Sequence, residues 1–572
     1  MKNLLVALAL SACSISGTIA QDHDPDHHYH EGHDHDFHAP LGIPLILSSN
    51  FGELRPNHFH MGLDFKTNNK IGYNLYSIEE GWVSRVKVSP YGYGRVVYVD
   101  HPNGLTSVYA HCSEFKGKLD SVVKAVQEKE QNFAIEYFPK KNEIPLKKGE
   151  VFALSGNSGG STAPHLHFEI RDTKTEAALN PLHFFEIADH KKPEIRRVKF
   201  YAVTKDGYRY PGKAIVRTAS KGGSGYFISN NKITLPANYC SETGGIGLAF
   251  DAIDRFDGAS NQCGLYGSIM IVDGDTIFGQ STDRVPFEST RYVNSHKDYE
   301  AYQASRHKYH KCFKTTENDL PIYRYNENGV LNLKPGDSKK ITYIAYDHAG
   351  NKSVLKFTLA VAAGTMNSED GIGETLEHLR PSAPMKIENN TRRIEFGLQT
   401  TYEPLKINAD KINTVIGKAN IPVQKAYQIH IKSDLPNDGK NYLEITTAKG
   451  RKRALDVTYE NGWYTADSKY FGSYRLRRDT LGPTLRPLNF KSTSSYIANK
   501  TMTFRLSDSQ SGVGDYDMFI DNKWYVIAYD YKGGGKLTFI RPKGLSGVHD
   551  VKLIGKDDCG NETVWEKKLT FP

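Results

Sequence analysis

Along most of the chain, apolar residues alternate with polar ones in short runs separated by glycines and other turn formers, the pattern of antiparallel strands. In HFHMGLDFK, Phe59, Met61, Leu63 and Phe65 alternate with His60, Gly62, Asp64 and Lys66. Pro56 just before this run and Gly62 inside it disfavour a helix. The expectation is one strand that buries the apolar set and turns His60 and Asp64 to the other face. PHLHFEI follows the same rule, with Leu166, Phe168 and Ile170 facing one way and His165, His167 and Glu169 the other. In SVYAHC, alternation puts Tyr109 and His111 on one face and Val108, Ala110 and Cys112 on the opposite, core-facing one. A single helix interrupts the strands, because Leu119, Val122, Val123 and Val126 recur at helical spacing.

The expected fold class is therefore mainly β: an antiparallel β domain over residues 41–188, followed by β-sandwich domains. Asp189 and Pro193 open a segment that closes with Asp347, Gly350 and Asn351, and Asp479 and Pro483 open another that closes with Asp557, Gly560 and Asn561. Alternating strands lead into each DxxGN, as they would into a hairpin turn feeding the last strand of an immunoglobulin-like sandwich. Turn chemistry explains these acidic residues, and calcium binding is the functional alternative. The segments are thus 189–365 and 479–572, with a β-rich region of unassigned type over 366–478.

At 572 residues the chain is long enough for about four domains. Its net charge of +8, with 73 basic and 65 acidic residues mixed along the sequence, implies mild attraction to anionic surfaces and no nucleic-acid footprint. Residues 1–20, with Lys2 and then an apolar run from Leu4, read as a secretory signal. Cleavage before Gln21 is expected. Cys13 in LSAC is the competing, lipoprotein-type site, which would make it a lipid anchor. No other stretch is apolar enough to span a membrane, so the mature protein is expected in the periplasm or cell envelope. Of the later cysteines, Cys112, Cys240, Cys263, Cys312 and Cys559, none lies in a CxxC pair. A bridge among Cys240, Cys263 and Cys312 and a set of buried free thiols are both open.

Residues 21–40 form an expected flexible tail in which His23, His27, His28, His30, His33, His35 and His38 are interleaved with aspartates. Such a tract has no apolar face to bury and can collect metal ions. Its HEGHD is no metalloprotease helix, since the second histidine comes one position too early.

The chemistry lies elsewhere. If the three histidine-bearing strands are neighbours, His60, Asp64, His111, His165 and His167 converge on one site. Imidazole nitrogen and carboxylate oxygen are ordinary zinc ligands, and three of them leave an open position of catalytic type, with two histidines left to move protons. HxxxD or HxH alone arises by chance in a chain of this length; their conjunction with YxH on alternating strands of one domain does not.

The strings NHFHMGLDFKT, GYGRVVYVDHPNGLTSVYAHC, LKKGEVFALSGNSGGSTAPHLHFEIRD and NPLHFF, in that order, resemble the lysostaphin-type (LytM-type) zinc metallopeptidases over about residues 41–187. The resemblance implies a lysostaphin-like β fold of the duplicated hybrid motif type, a groove above the sheet, and peptidoglycan peptides as substrate. It further implies that His60, Asp64 and His167 bind Zn2+ and that His111 and His165 assist catalysis, without deciding which of the two does what. Some members have lost these residues and only bind or activate; the complete set here points to an active endopeptidase. A silent wall-binding regulator and a surface adhesion protein are the alternatives. The stretch from Phe115 to Ile144 is longer than the hairpin expected of the family. The glycine-rich loops at 91–95 and 157–162 are candidate groove walls or simple hairpin turns.

Overall fold

Eight elements carry the N-terminal domain in the computed structural model, which describes residues 36–572 except 224, 243, 326, 367–377, 448 and 449. They are β1 (Leu47–Ser49), β2 (Leu63–Lys66), β3 (Gly81–Val88), β4 (Arg95–Asp100), β5 (Leu105–Ala110), α1 (Gly117–Glu130), β6 (Ile135–Tyr137) and β7 (His165–Asp172). The expected signal segment, Cys13 and the tail histidines from His23 to His35 lie outside the described residues. Among the described residues no helix is long and apolar enough to cross a membrane.

The strands pair antiparallel in the order β1-β2-β7-β5-β4-β3-β6, so β7 runs between β2 and β5. His167 lies opposite Asp64 on one side and Ala110 on the other, and Phe168 lies opposite Leu63 and Tyr109. Residues paired across a ladder share a face. Leu63, Phe65, Tyr109, Leu166, Phe168 and Ile170 are therefore on one face and fully buried, with the Tyr109 and Phe168 rings edge to face at 5.2 Å. Each such side chain contributes roughly 1.5–3 kcal/mol on burial, which pins the register and with it the opposite, polar face.

Two expectations about these strands need correction. The predicted single strand through HFHMGLDFK is broken: a short strand, His58–Phe59, is followed by β2 only from Leu63. The chain passes so close to β7 at Gly62 that a Cβ there would stand 2.2 Å from the Phe168 carbonyl oxygen, an approach incompatible with a regular ladder. Nor do Tyr109 and His111 share a face. β5 ends at Ala110, and His111 takes φ 62°, a left-handed conformation unusual outside glycine. That reversal swings the imidazole to the polar face, while Tyr109 stays in the core, its hydroxyl accepting the Ile78 amide.

Helix α1 forms where its spacing predicts, burying Leu119, Val123 and Gln127. It stops at Gln131, in the left-handed cap conformation that ends many helices. Cys112 is buried as expected. All five described cysteines are buried free thiols, so no bridge joins Cys240, Cys263 and Cys312.

Beyond residue 189 the chain continues as paired sheets. β8 (Glu194–Thr204) and β9 (Gly244–Ile253) lie in a four-stranded sheet; β10 (Gly267–Val272), β11 (Ser338–Tyr346) and β12 (Lys352–Val361) lie in a seven-stranded one. Phe250 of the first stacks on Tyr343 of the second with ring centroids 3.7 Å apart. The region after residue 377 also forms sheets, of five, four and two strands, and the C-terminal segment two of four. Both DxxGN stretches are hairpin turns, with Tyr346 paired to Lys352 and Lys556 to Glu562. The first of these two-sheet segments is bonded to the N-terminal domain: Ala178 and Leu179 pair with Val285 and Arg284, the Asn50 amide clamps the backbone of Gly264 at 2.7 and 2.9 Å, and Lys308 Nζ meets Glu53 Oε1 at 2.8 Å.

Candidate functional site

The face of β2 and β7 away from the core gathers all five residues singled out by the sequence. His60 Nε2, Asp64 Oδ1 and His167 Nδ1 form a triangle with edges of 3.0, 3.0 and 2.9 Å. Each histidine is oriented by a partner on its other nitrogen. The Asn50 carbonyl accepts from His60 Nδ1 at 2.7 Å, and Glu169 Oε1 accepts from His167 Nε2 at 2.8 Å. Both donors being used outward, the two remaining lone pairs point at each other and at a carboxylate oxygen. That arrangement is unfavourable unless a cation occupies the centre, and two imidazoles with one carboxylate suit zinc. The three residues fit such an ion.

His111 and His165 flank the triangle. His111 donates from Nδ1 to the Ser158 carbonyl at 2.9 Å, and His165 from Nδ1 to the Ala163 carbonyl at 2.9 Å. Their rings are 4.8 Å apart, and His165 Nε2 is 3.4 Å from Asp64 Oδ1. Burial, then the neighbouring His165 and His167, press His111 down to about 3, so it is a neutral imidazole at neutral pH.

His167 behaves oppositely. Burial disfavours its cation, but Asp64 and Glu169 outweigh burial and hold it up to about 9 in the metal-free chain. A proton then occupies the position a metal would take. Zinc uptake must displace that proton, so apparent zinc affinity of the metal-free protein is expected to rise about tenfold per pH unit from pH 7 to 9. Competition with a chromophoric chelator of known protonation behaviour checks the slope; a flat profile would mean that His167 is already neutral.

Glu169 is the residue whose importance alternation alone did not disclose. Alternation puts it on the polar face and assigns it no role. Its side chain is fully buried and receives His167 Nε2, Arg171 Nε at 2.7 Å and the Tyr93 hydroxyl. Burial opposes its charge, and Arg171 with His167 still draws it down to about 2. The Tyr93 ring stacks on His167 at 5.2 Å. Arg171 in turn lies 4.1 Å over the Phe287 ring, so the support reaches into the adjoining two-sheet segment. The two-residue step from His167 to Glu169 was the available signal; Tyr93 had none.

A groove of about 710 Å³ opens beside the triangle, lined by Ile46, Asp64, Pro164 and His165 together with Gly258 and Asn261 from beyond the N-terminal domain. The two glycine-rich loops interlock with each other, and of their residues Thr162 lines this groove. Gly160 donates to the Gly92 carbonyl at 2.6 Å, and a Cβ on Gly159 would stand 2.3 Å from the Gly94 nitrogen. A C-terminal hairpin also reaches these loops: Lys532 Nζ donates to the Asn157 and Ser161 carbonyls at 2.6 and 2.8 Å, and Tyr531 lies against Tyr91.

Residues 58–128 match the sequence model of Peptidase family M23, in line with the LytM-type resemblance of the sequence. The chain is 35% identical over 131 residues to an uncharacterized metalloprotease of Haemophilus influenzae, covering 23% of this chain and 21% of that protein. It is 28% identical over 136 residues to lysostaphin of Staphylococcus staphylolyticus, covering 23% of each. It is 32% identical over 111 residues to the peptidoglycan DD-endopeptidase ShyB of Vibrio cholerae, covering 19% of this chain and 20% of that one. The matched stretch thus spans only about a fifth of these relatives.

Proposed function

We propose that the chain is an exported zinc endopeptidase that hydrolyses peptide cross-links of bacterial peptidoglycan. The observation that carries this reading is the convergence of His60 Nε2, Asp64 Oδ1 and His167 Nδ1 within 3.0 Å of one another, beside two further histidines in an open groove. Likeness to a peptidoglycan endopeptidase supports the substrate, and the N-terminal apolar run supports export.

His60, Asp64 and His167 would hold a zinc ion, which would supply Lewis acidity toward a scissile carbonyl and a water molecule. The chain's own groups do the rest. His111, kept neutral, and His165, its Nδ1 tied to Ala163, are placed to take a proton from the attacking water and deliver one to the leaving amine. Once it has taken the water's proton on Nε2, either imidazole becomes a donor that can stabilise the tetrahedral oxyanion. The groove beside His165 and Asp64 has room for an extended peptide against the sheet face.

Digestion of purified peptidoglycan with mass analysis of the fragments is the test. New amines with no new reducing sugar ends are expected. Reducing ends without amines would overturn the reading, and intact peptidoglycan with zinc-loaded protein would leave a silent wall-binding protein.

A further inference from the structure

The repeated acidic motif is built differently at its two sites. Asp189, Asp254 and Asp347 place one carboxylate oxygen each within 4.8 Å of one another, and so do Asp479, Asp508 and Asp557. In the second group backbone and side-chain donors neutralise the carboxylates. Asp479 accepts from Leu481, Gln510 and Ser511; Asp508 accepts from the Gln510 and Gly512 amides; and both oxygens of Asp557 accept from Asn561. Hydrogen bonds alone account for that group.

The first group has fewer such donors: the Asn351 side chain and the Ala349 and Gly350 amides favour the Asp347 carboxylate without meeting hydrogen-bond geometry at its second oxygen. Asp189 accepts from the Lys191 amide and Asp347 from the Asn351 amide, through one oxygen each. Asp189 Oδ2, Asp347 Oδ2 and both oxygens of Asp254 are buried with no hydrogen-bond partner. The Arg255 amide is near enough to favour the Asp254 carboxylate without meeting hydrogen-bond geometry. Asp254 is 1% exposed, Asp347 2% and Asp189 8%, and among the described residues no lysine, arginine or histidine forms an ion pair with any of them. Lys191 Nζ is turned away onto the Phe256 and Ala259 carbonyls. Unpaired buried carboxylates are costly and mutually repelling. Burial, then Asp189 and Asp347, push Asp254 up to about 8.

We propose that Asp189, Asp254 and Asp347 form a calcium site at the junction of the N-terminal domain and the two-sheet segment that follows it. The donors are all oxygen, which selects a hard cation over zinc, and an all-protein, largely dehydrated site favours calcium over magnesium. Each ligand sits at a mechanically distinct point. Asp189 is where the chain leaves the N-terminal domain, and Asp347 is in the turn between β11 and β12. Asp254 directly follows β9 and begins the loop whose Gly258 and Asn261 line the groove. Calcium would tie the three together and hold that loop against the groove. The site does not depend on the peptidase reading and stands or falls without an activity measurement.

The test is calorimetric titration of calcium chloride into the full chain, with zinc saturating so that the histidine site is filled. Saturable uptake of one calcium per chain is expected, with the melting temperature raised by about 5–10 °C at a hundred times Kd and slowed hydrogen exchange over residues 254–263. Asp254→Asn should abolish uptake and melt above calcium-free wild type, because it removes the repelling charge. Asp508→Asn should bind calcium like wild type. Absence of saturable uptake would overturn the site in favour of a shared proton. Uptake undiminished in Asp254→Asn, or lost in Asp508→Asn, would also overturn it.

Discussion

Asp64→Ala is expected to purify without metal and to lose at least about 10³-fold in peptidase activity, whereas His111→Ala and His165→Ala retain zinc and lose about 10²–10⁴-fold. The separation follows from geometry. Asp64 Oδ1 is the one atom within 3.0 Å of both His60 Nε2 and His167 Nδ1, so its removal leaves two imidazoles with no anionic ligand. His111 and His165 have their Nδ1 atoms tied to the backbone carbonyls of Ser158 and Ala163 and stand beside the triangle without being corners of it. Zinc content by atomic absorption, read beside activity, separates the two classes. Full zinc occupancy in Asp64→Ala would refute the assignment, as would zinc loss in both flanking variants.

Glu169→Gln should lower zinc affinity about 10- to 100-fold at neutral pH and destabilise the metal-free protein by about 3–5 kcal/mol. The buried carboxylate serves three donors, His167 Nε2, Arg171 and Tyr93, and a glutamine has one oxygen and no charge to offer them. His167 then loses the acceptor that fixes its tautomer, and Arg171, 4% exposed, keeps a buried charge without its partner. Competition titration reads the first effect and urea unfolding the second. The two should move together, since one side chain supports both; unchanged zinc affinity in a destabilised variant would show Glu169 to be structural only. Arg171→Met, which leaves the His167–Glu169 bond in place, should destabilise while sparing affinity by comparison.

Much of the site was legible because period-two alternation is a local property. His165, His167 and Glu169 stand on one side of β7 and Leu166, Phe168 and Ile170 on the other because each peptide unit reverses the side-chain direction. The same logic failed at two places where the backbone departs from a strand. At Gly62 a neighbouring carbonyl crowds the chain, and at His111 a positive φ turns the ring over to the site. Neither condition belongs to the residue's own neighbours in sequence. The helix over Gly117–Glu130 was legible for the same local reason as the strands, its apolar residues repeating at helical spacing.

The sequence by itself determined a mainly β chain, the faces on which most of the chemistry lies, and the five residues of the candidate site, because alternation and residue type act over a few positions. Only the tertiary structure decided which imidazole nitrogen faces the centre, since that depends on carbonyls of Asn50, Ser158 and Ala163 brought in from other segments. It also decided that Tyr93 and Glu169 support His167, and that one DxxGN carboxylate group is satisfied by hydrogen bonds while the other is not. Both motifs read the same along the chain. The difference arises from what surrounds them: Asp479 meets the donors of Gln510 and Ser511, and Asp189 meets Asp254.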